Sequence, residues 1–121
     1  MTVTITAEAI YLATEPVDLR AGFDRLAGVV RERLQADPCA GSVFVFMNRR
    51  RTHLKALYYD QTGHCVLYKR LSRGRYPLPT VIAPGATSLA IEAGELELLL
   101  RGLDLPTRRR RSDRYPRRPI H

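Results

Sequence analysis

The chain lacks the features that mark secreted, membrane-spanning or disulfide-rich proteins. Its 121 residues include two cysteines, Cys39 and Cys65, which do not make a disulfide framework and are normal for a reducing cytoplasm. The N-terminus has no basic region followed by an unbroken apolar core, and no stretch approaches the ~18 consecutive apolar residues of a membrane span. We therefore expect no signal peptide, no membrane contact and a cytoplasmic location.

Residue patterns for catalysis are also missing. The scattered glycines form no phosphate-binding loop, and no histidine is suitably placed with a serine or cysteine. A two-metal nuclease needs several carboxylates that converge on one place. Asp18 and Asp24 fall instead on a predicted helix, and Asp60 falls in a predicted turn. We therefore predict a protein that is not an enzyme and has no small-molecule substrate.

A zinc site is not indicated either. The four potential ligands, Cys39, His53, His64 and Cys65, are irregularly spaced. Since His64 and Cys65 are adjacent, their side chains point to opposite faces of a strand. We predict neither a metal nor a cofactor.

Positive charge is what the chain has in excess. The formal net charge is +8, and residues 106–121 supply +6 of it through seven arginines and one aspartate. That segment has no apolar periodicity, so we expect a single domain over residues 1–105 and a flexible, disordered tail over 106–121. An isoelectric point near 10.2 suggests a polyanionic partner, of which nucleic acid is the commonest. The alternative is that the charge only keeps the protein soluble.

The first half of the domain predicts a strand followed by a helix. AIYLAT (9–14) is typical of a strand, and Asp18 fits the N-cap of a helix that runs to about Gln35. Gly28 inside this helix suggests close packing on a sheet. The apolar residues that share one helical face are Phe23, Leu26, Ala27, Val30 and Leu34.

The second half predicts an antiparallel β-meander. Strands are expected at 42–47, 52–59 and 64–71, and DQTG (60–63) has the composition of a hairpin turn. The continuously apolar first strand is typical of one covered on both faces. A loop over 72–88, a strand at 88–91 and a short helix over 92–104 that ends at Gly102 complete an α+β fold.

Three consecutive arginines lie between two of these strands, in the segment NRRRTH. In a meander, the loops 48–51 and 72–75 lie at the same end of the sheet, so their arginines form one cluster that favours phosphate. Tyr76 is expected to stack on a sugar or a base. The alternative is that these are separate solvated loop ends. The candidate nucleic-acid-binding residues are Arg49, Arg50, Arg51, Lys69, Arg70, Arg73, Arg75 and Tyr76, with Arg108, Arg109, Arg110 and Arg111 in the tail.

Two segments carry a resemblance to a known family. PVDLRAGFDRLAGVV (16–30) and GSVFVFMNRRRTHLKALYYDQTGHCVLYKRLSRGRYPLP (41–79) resemble the TnpB-type accessory protein of the insertion-sequence-66 group of bacterial transposons. The resemblance covers roughly residues 8–104. It implies an accessory role in DNA transposition beside a larger transposase that carries the acidic catalytic residues.

The chain departs from that family at three positions. Arg51 stands where the family commonly has a glycine, and Leu67 where an aromatic residue is frequent. Tyr76 stands near the place of a frequent tryptophan or phenylalanine. We expect DNA, at transposon ends, and the transposase as partners. The competing hypothesis is a protein-interaction module that docks on the transposase without touching DNA.

Overall fold

A computed structural model describes residues 9–20, 22–78 and 82–105. Within them the elements in chain order are β1 (Ile10–Ala13), α1 (Phe23–Glu32), β2 (Val43–Met47), β3 (His53–Tyr59), β4 (His64–Arg70), β5 (Ser88–Ile91) and α2 (Ala93–Leu100). The strands form one sheet in the order β4-β3-β2-β1-β5. The α+β prediction is confirmed. The arginine-rich segment 106–121, with its candidates Arg108 to Arg111, lies outside the described residues.

The meander of β2, β3 and β4 is confirmed, with each strand boundary within one residue of its prediction. Asp60 stabilises the hairpin turn between β3 and β4 through hydrogen bonds. Its backbone N–H donates to the Gly63 carbonyl at 3.0 Å, and its Oδ1 accepts the N–H groups of Thr62 and Gly63 at 3.1 and 3.0 Å. An aspartate that binds nearby backbone donors is a common way to close such a turn.

The sheet is mixed rather than purely antiparallel. β1 pairs parallel with β2, with Ile10 beside Val43, and antiparallel with β5. Parallel neighbours need a long crossover, and the segment that contains α1 provides it. The predicted meander therefore accounts for three of the five described strands.

The start of α1 differs from the prediction. The helix begins at Phe23 after an N-cap at Gly22, instead of at Asp18. The carboxylate of Asp18 is occupied locally, because its Oδ1 accepts the Arg20 N–H and Nε–H, both at 3.0 Å. The helix ends at Glu32, short of the predicted Gln35, whose φ of +54° is left-handed.

The two helices cover opposite faces of the sheet. Phe44, Phe46 and Leu57 pack with Leu26 and Val30 of α1. The alternate residues of β2 point the other way and pack with α2; these are Val43, Val45 and Met47. All five residues of β2 are buried, which confirms a strand covered on both faces.

Two expectations for α1 are corrected by its packing. Phe23 was placed on the buried face, but it is 41% exposed and lies against the His64 ring at 4.8 Å between centroids. Gly28 was expected to allow close packing, yet a Cβ built there would have no neighbour within 4 Å. The sheet does not approach this turn of the helix closely enough to require glycine.

α2 has well-defined ends. The Glu92 N–H donates to Oε1 of Glu95 at 2.8 Å, as part of a capping box. At the other end Gly102, with φ of +74°, lets its N–H and that of Leu103 donate back to Leu99 and Leu98. The predicted termination at Gly102 is confirmed. Among the residues described, no helix has the length and apolar character to cross a membrane.

Candidate nucleic-acid interface

The arginine loop between β2 and β3 is held in place by Asn48. Its Oδ1 accepts the backbone N–H groups of Thr52 and His53 at 2.9 and 3.1 Å, and its carbonyl accepts the Arg51 N–H at 3.0 Å. The backbone is therefore fixed around one polar side chain. Arg49 and Arg50 lie at the tip of this loop and are both exposed.

Arg51 joins this loop to the segment that follows β4. Its carbonyl accepts the Tyr76 N–H at 2.6 Å, and its Nε donates to the Tyr76 carbonyl at 2.9 Å. The pairing of His53 with Arg70 brings the same two segments together. The prediction that loops 48–51 and 72–75 lie at one end of the sheet is confirmed.

The backbone of Arg51 also has an unusual conformation. Its φ is +60°, in the left-handed region that favours glycine. The family that the sequence resembles commonly has glycine at this place. In this chain the half-buried side chain offsets the backbone penalty with its bond to Tyr76. Arg51 therefore positions the loop, whereas Arg49 and Arg50 are exposed to solvent.

An open groove of about 650 Å³ begins at this loop and follows the α1 side of the sheet. One wall is the segment 16–20, which precedes α1, and another is loop 48–50. His53, Lys55 and Tyr68 from β3 and β4 also line it. The groove therefore combines several cationic side chains with one exposed aromatic ring.

Tyr68 is the most exposed large hydrophobic residue of the described chain, at 57%. Its ring stacks on that of His53, with centroids 5.9 Å apart, and the Lys55 Nζ lies 5.1 Å from its centroid. Both neighbours belong to the adjacent strand β3, and more than half of the Tyr68 surface stays exposed to solvent beside them.

The segment 16–20 contributes an ion pair to the groove. Arg20 Nη2 lies 2.8 Å from Oδ2 of Asp18, and both side chains are well exposed. Hydrogen bonds from Arg20 lower the pKa of the Asp18 carboxyl from 3.8 to about 2. Asp18 is therefore ionised at neutral pH, where its charge offsets that of Arg20.

Tyr76 does not belong to this surface, so the expectation that it stacks on a base is wrong. Its side chain is fully buried in the core on the α2 side of the sheet, and burial raises the pKa of its hydroxyl. The hydroxyl donates to the Lys69 carbonyl at 3.3 Å. The ring fills part of the apolar core on the α2 side. The spacing of residues in the sequence does not predict this position.

Lys69 also lies apart from the expected cluster. It pairs with Leu54 on the α2 side of the sheet, and its Nζ donates to the Leu100 carbonyl at 2.6 Å. That carbonyl is at the C-terminal end of α2, where a cation is favourable. Lys69 therefore holds α2 to the sheet, on the face opposite the groove.

The other candidates remain near the groove without lining it. Arg70 is exposed on the same face of β4 as Tyr68, while Arg73 and Arg75 are exposed in the second loop. The structure thus brings Arg49 and Arg50 into the groove and leaves these three beside it.

Among the residues that line the groove, the basic and aromatic side chains that the sequence did not single out as candidates are Arg20, His53, Lys55 and Tyr68. The alternation within β4 was the available signal. Because Leu67 packs against the core of the α2 side, its neighbour Tyr68 has to point to the opposite face. No pattern in the sequence predicts the position of Arg20, because that position depends on how the segment before α1 packs beside the sheet.

The potential metal ligands are not gathered into one site. Cys39 Sγ lies 3.7 Å from Nε2 of His64, but Cys65 points to the other face of β4. In the described parts of the chain, no three His, Cys, Asp or Glu side chains form a group that could hold a metal ion.

Comparisons with known proteins give a family and two relatives. The family model described as "IS66 Orf2 like protein" matches residues 8–110. The uncharacterized protein y4hO of Sinorhizobium fredii is 40% identical over 95 residues, which cover 78% of this chain and 80% of that protein. The uncharacterized protein y4jC of the same organism is 36% identical over 107 residues, which cover 88% and 89%. No solved structure matches the chain.

Proposed function

Since the chain belongs to the IS66 Orf2-like family, an accessory family of insertion-sequence transposition, we propose that it binds DNA in that process. The transposase encoded alongside would carry out strand cleavage and joining. The observation that supports DNA binding is the basic groove, where two exposed loop arginines stand beside Arg20 and Lys55.

Arginine suits this role because its planar guanidinium makes paired hydrogen bonds to phosphate oxygens. The loop that presents Arg49 and Arg50 is fixed by Asn48, so little backbone entropy is lost when a ligand binds. Asp18 is the one acidic side chain among the described residues that line the groove, and it is already paired with Arg20. Several cations with one acid between them attract a polyanion.

The proposal is tested by fluorescence anisotropy with a labelled duplex across a salt series. Each phosphate contact contributes about −0.9 to the slope of log affinity against log salt, so removing both Arg49 and Arg50 by substitution to Gln flattens that slope by about 2 units. The matched control is Arg73→Gln with Arg75→Gln, which removes the same charge from a loop that does not line the groove and should flatten the slope less. Equal slopes for the parent and the Arg49/Arg50 variant would contradict the proposal.

The absence of catalysis is part of this proposal. We expect purified protein neither to cut nor to join DNA when magnesium or manganese is present. Nicking that survives purification and disappears in Asp18→Asn, Asp24→Asn or Asp60→Asn would show otherwise.

A second candidate function, docking on the transposase, is favoured by a different observation. β4 is an edge strand of seven residues, and Val66 on it is 40% exposed. An edge strand offers unpaired backbone groups to another chain. Binding of this kind responds less to salt than phosphate binding does, so a pull-down with purified transposase at two salt concentrations separates the two functions.

A further inference from the structure

We propose that the groove holds unpaired DNA and that one base stacks on the exposed ring of Tyr68. This inference rests on the proposed function and specifies the form of DNA that is bound. Phosphate binding explains the arginines but gives no reason for an aromatic side chain that is 57% exposed in the same groove.

The ring of Tyr68 is preorganised for stacking. It lies on β4, a strand of the sheet, and is flanked by the His53 ring and the Lys55 ammonium on β3. A side chain supported in this way loses little rotamer freedom when a base covers it. The positive charge of Lys55 lies in the same groove, 5.1 Å from the centre of the Tyr68 ring.

The size of the groove fits this occupant. Its volume of about 650 Å³ lies within the range of roughly 300–1,000 Å³ that is usual for pockets of small-molecule size, a class that includes a nucleotide. Arg49 and Arg50 line the groove together with Tyr68. One occupant can therefore meet guanidinium groups with its phosphates and the tyrosine ring with its base.

A duplex cannot use this arrangement fully. In a duplex each base is stacked between its neighbours, and only base edges and the phosphate backbone are accessible. An unpaired base has a free face, and aromatic side chains in single-strand-binding proteins take up such faces with little regard to sequence. The combination of exposed tyrosine and arginines therefore favours a single strand, a bubble or a frayed end.

The experiment compares labelled DNA in three forms by fluorescence anisotropy at one salt concentration. These are a single-stranded oligonucleotide, the same strand in a perfect duplex, and a single strand whose central nucleotides lack bases. The test variant is Tyr68→Ile, which removes the ring but keeps a residue that favours strands. Tyr68→Phe keeps the ring, and Val66→Ala controls for a change two residues away on the same face of β4.

We expect the parent to bind the single strand more tightly than the duplex. Tyr68→Ile should weaken single-strand binding about tenfold and leave duplex binding within about twofold, since one stacked base contributes on the order of a factor of ten. Tyr68→Phe and Val66→Ala should bind like the parent. On the base-free strand, Tyr68→Ile should have no effect, because no base is present to stack.

Two results would overturn the inference: equal losses on the single strand and the duplex, or no loss on either. Failure of the proposed function looks different. In that case the Arg49→Gln, Arg50→Gln variant would bind every form of DNA as the parent does. Circular dichroism and a thermal melt on each variant show whether the fold is kept, and if Tyr68→Ile does not fold, Tyr68→Thr takes its place.

Discussion

At the scale of single residues, Asp18 sets the charge that the groove presents. Its ion pair with Arg20 spans 2.8 Å and occupies a guanidinium that lines the groove. Because folding lowers the pKa of this carboxyl to about 2, its ionised form stabilises the fold above about pH 4. That contribution is lost as the pH falls towards 2. At neutral pH the ionised carboxylate therefore reduces the net positive charge of the groove.

We predict that Asp18→Asn tightens DNA binding several-fold and steepens the salt slope by about 1 unit, since the released Arg20 gains one phosphate contact. The matched control is Asp24→Asn, which makes the same charge change on the exposed side of α1, outside the groove. Anisotropy across a salt series measures both. Equal effects of the two substitutions would show that only net charge matters.

At the scale of elements, Gly28 in the interior of α1 lowers the stability of the helix, and a substitution can restore it. Glycine in the middle of a helix costs up to about 1 kcal/mol relative to alanine, and nothing lies within 4 Å of a Cβ at Gly28. Gly28→Ala should therefore raise the free energy of unfolding by about 0.5–1 kcal/mol in urea denaturation, with DNA binding unchanged.

The control for this prediction is Gly102→Ala, which should have the opposite sign. Gly102 has a φ of +74°, in the left-handed region where a residue with a Cβ is strained. A loss of stability in Gly28→Ala would mean that the helix lies closer to its surroundings than the structure shows.

A substitution of Lys69 tests the proposal that DNA binds on the α1 side of the sheet and not on the α2 side. Lys69→Met keeps the aliphatic stem but removes the hydrogen bond to the end of α2, so unfolding should become easier by about 1 kcal/mol. The salt slope of DNA binding should not change. A loss of DNA affinity as large as that of Arg49→Gln would place Lys69 in the interface after all. Arg70→Gln, one residue away and exposed, is the control for stability.

The elements that sequence predicts well are those whose signals are local. The meander depends on alternation and on the Asp60 turn, so its strands were located within one residue. The predicted start of α1 was wrong because the Asp18 carboxylate can either cap a helix or bind a nearby side chain. In the structure it binds Arg20 instead of capping the helix. The parallel pairing of β1 with β2 depends on contacts between residues 10–12 and 43–45, for which no turn gives a signal.

The candidate site, like the fold, has a part that the sequence predicts and a part that it does not. Placing loops 48–51 and 72–75 at one end follows from strand direction alone, and it is confirmed. The prediction that Tyr76 stacks on a base is wrong, because a residue in a loop need not be exposed. Tyr76 instead fills the core, while the alternation of β4 points Tyr68 outwards.

At the scale of the whole molecule, charge is divided between the folded domain and the segment 106–121. Seven of the chain's arginines lie in that segment. We predict that deleting 106–121 flattens the salt slope by roughly 3 units, as expected if ~3–4 of its arginines engage phosphates. The preference for unpaired over paired DNA should persist, because Tyr68 and the groove are kept. Anisotropy with single-stranded and duplex oligonucleotides measures both quantities, and a preference that disappears with the segment would contradict the assignment to the groove.

In the function we propose, DNA binds on the α1 side of the sheet, in the groove that begins at the arginine loop. The most direct measurement is a titration of the 15N-labelled protein with a short single-stranded oligonucleotide, followed by amide chemical shifts. We predict that the largest changes fall at residues 17–20, 48–53, Lys55 and Tyr68, with small changes throughout α2 and at Lys69. Shifts centred on α2 and Lys69, with the groove unaffected, would contradict the claim.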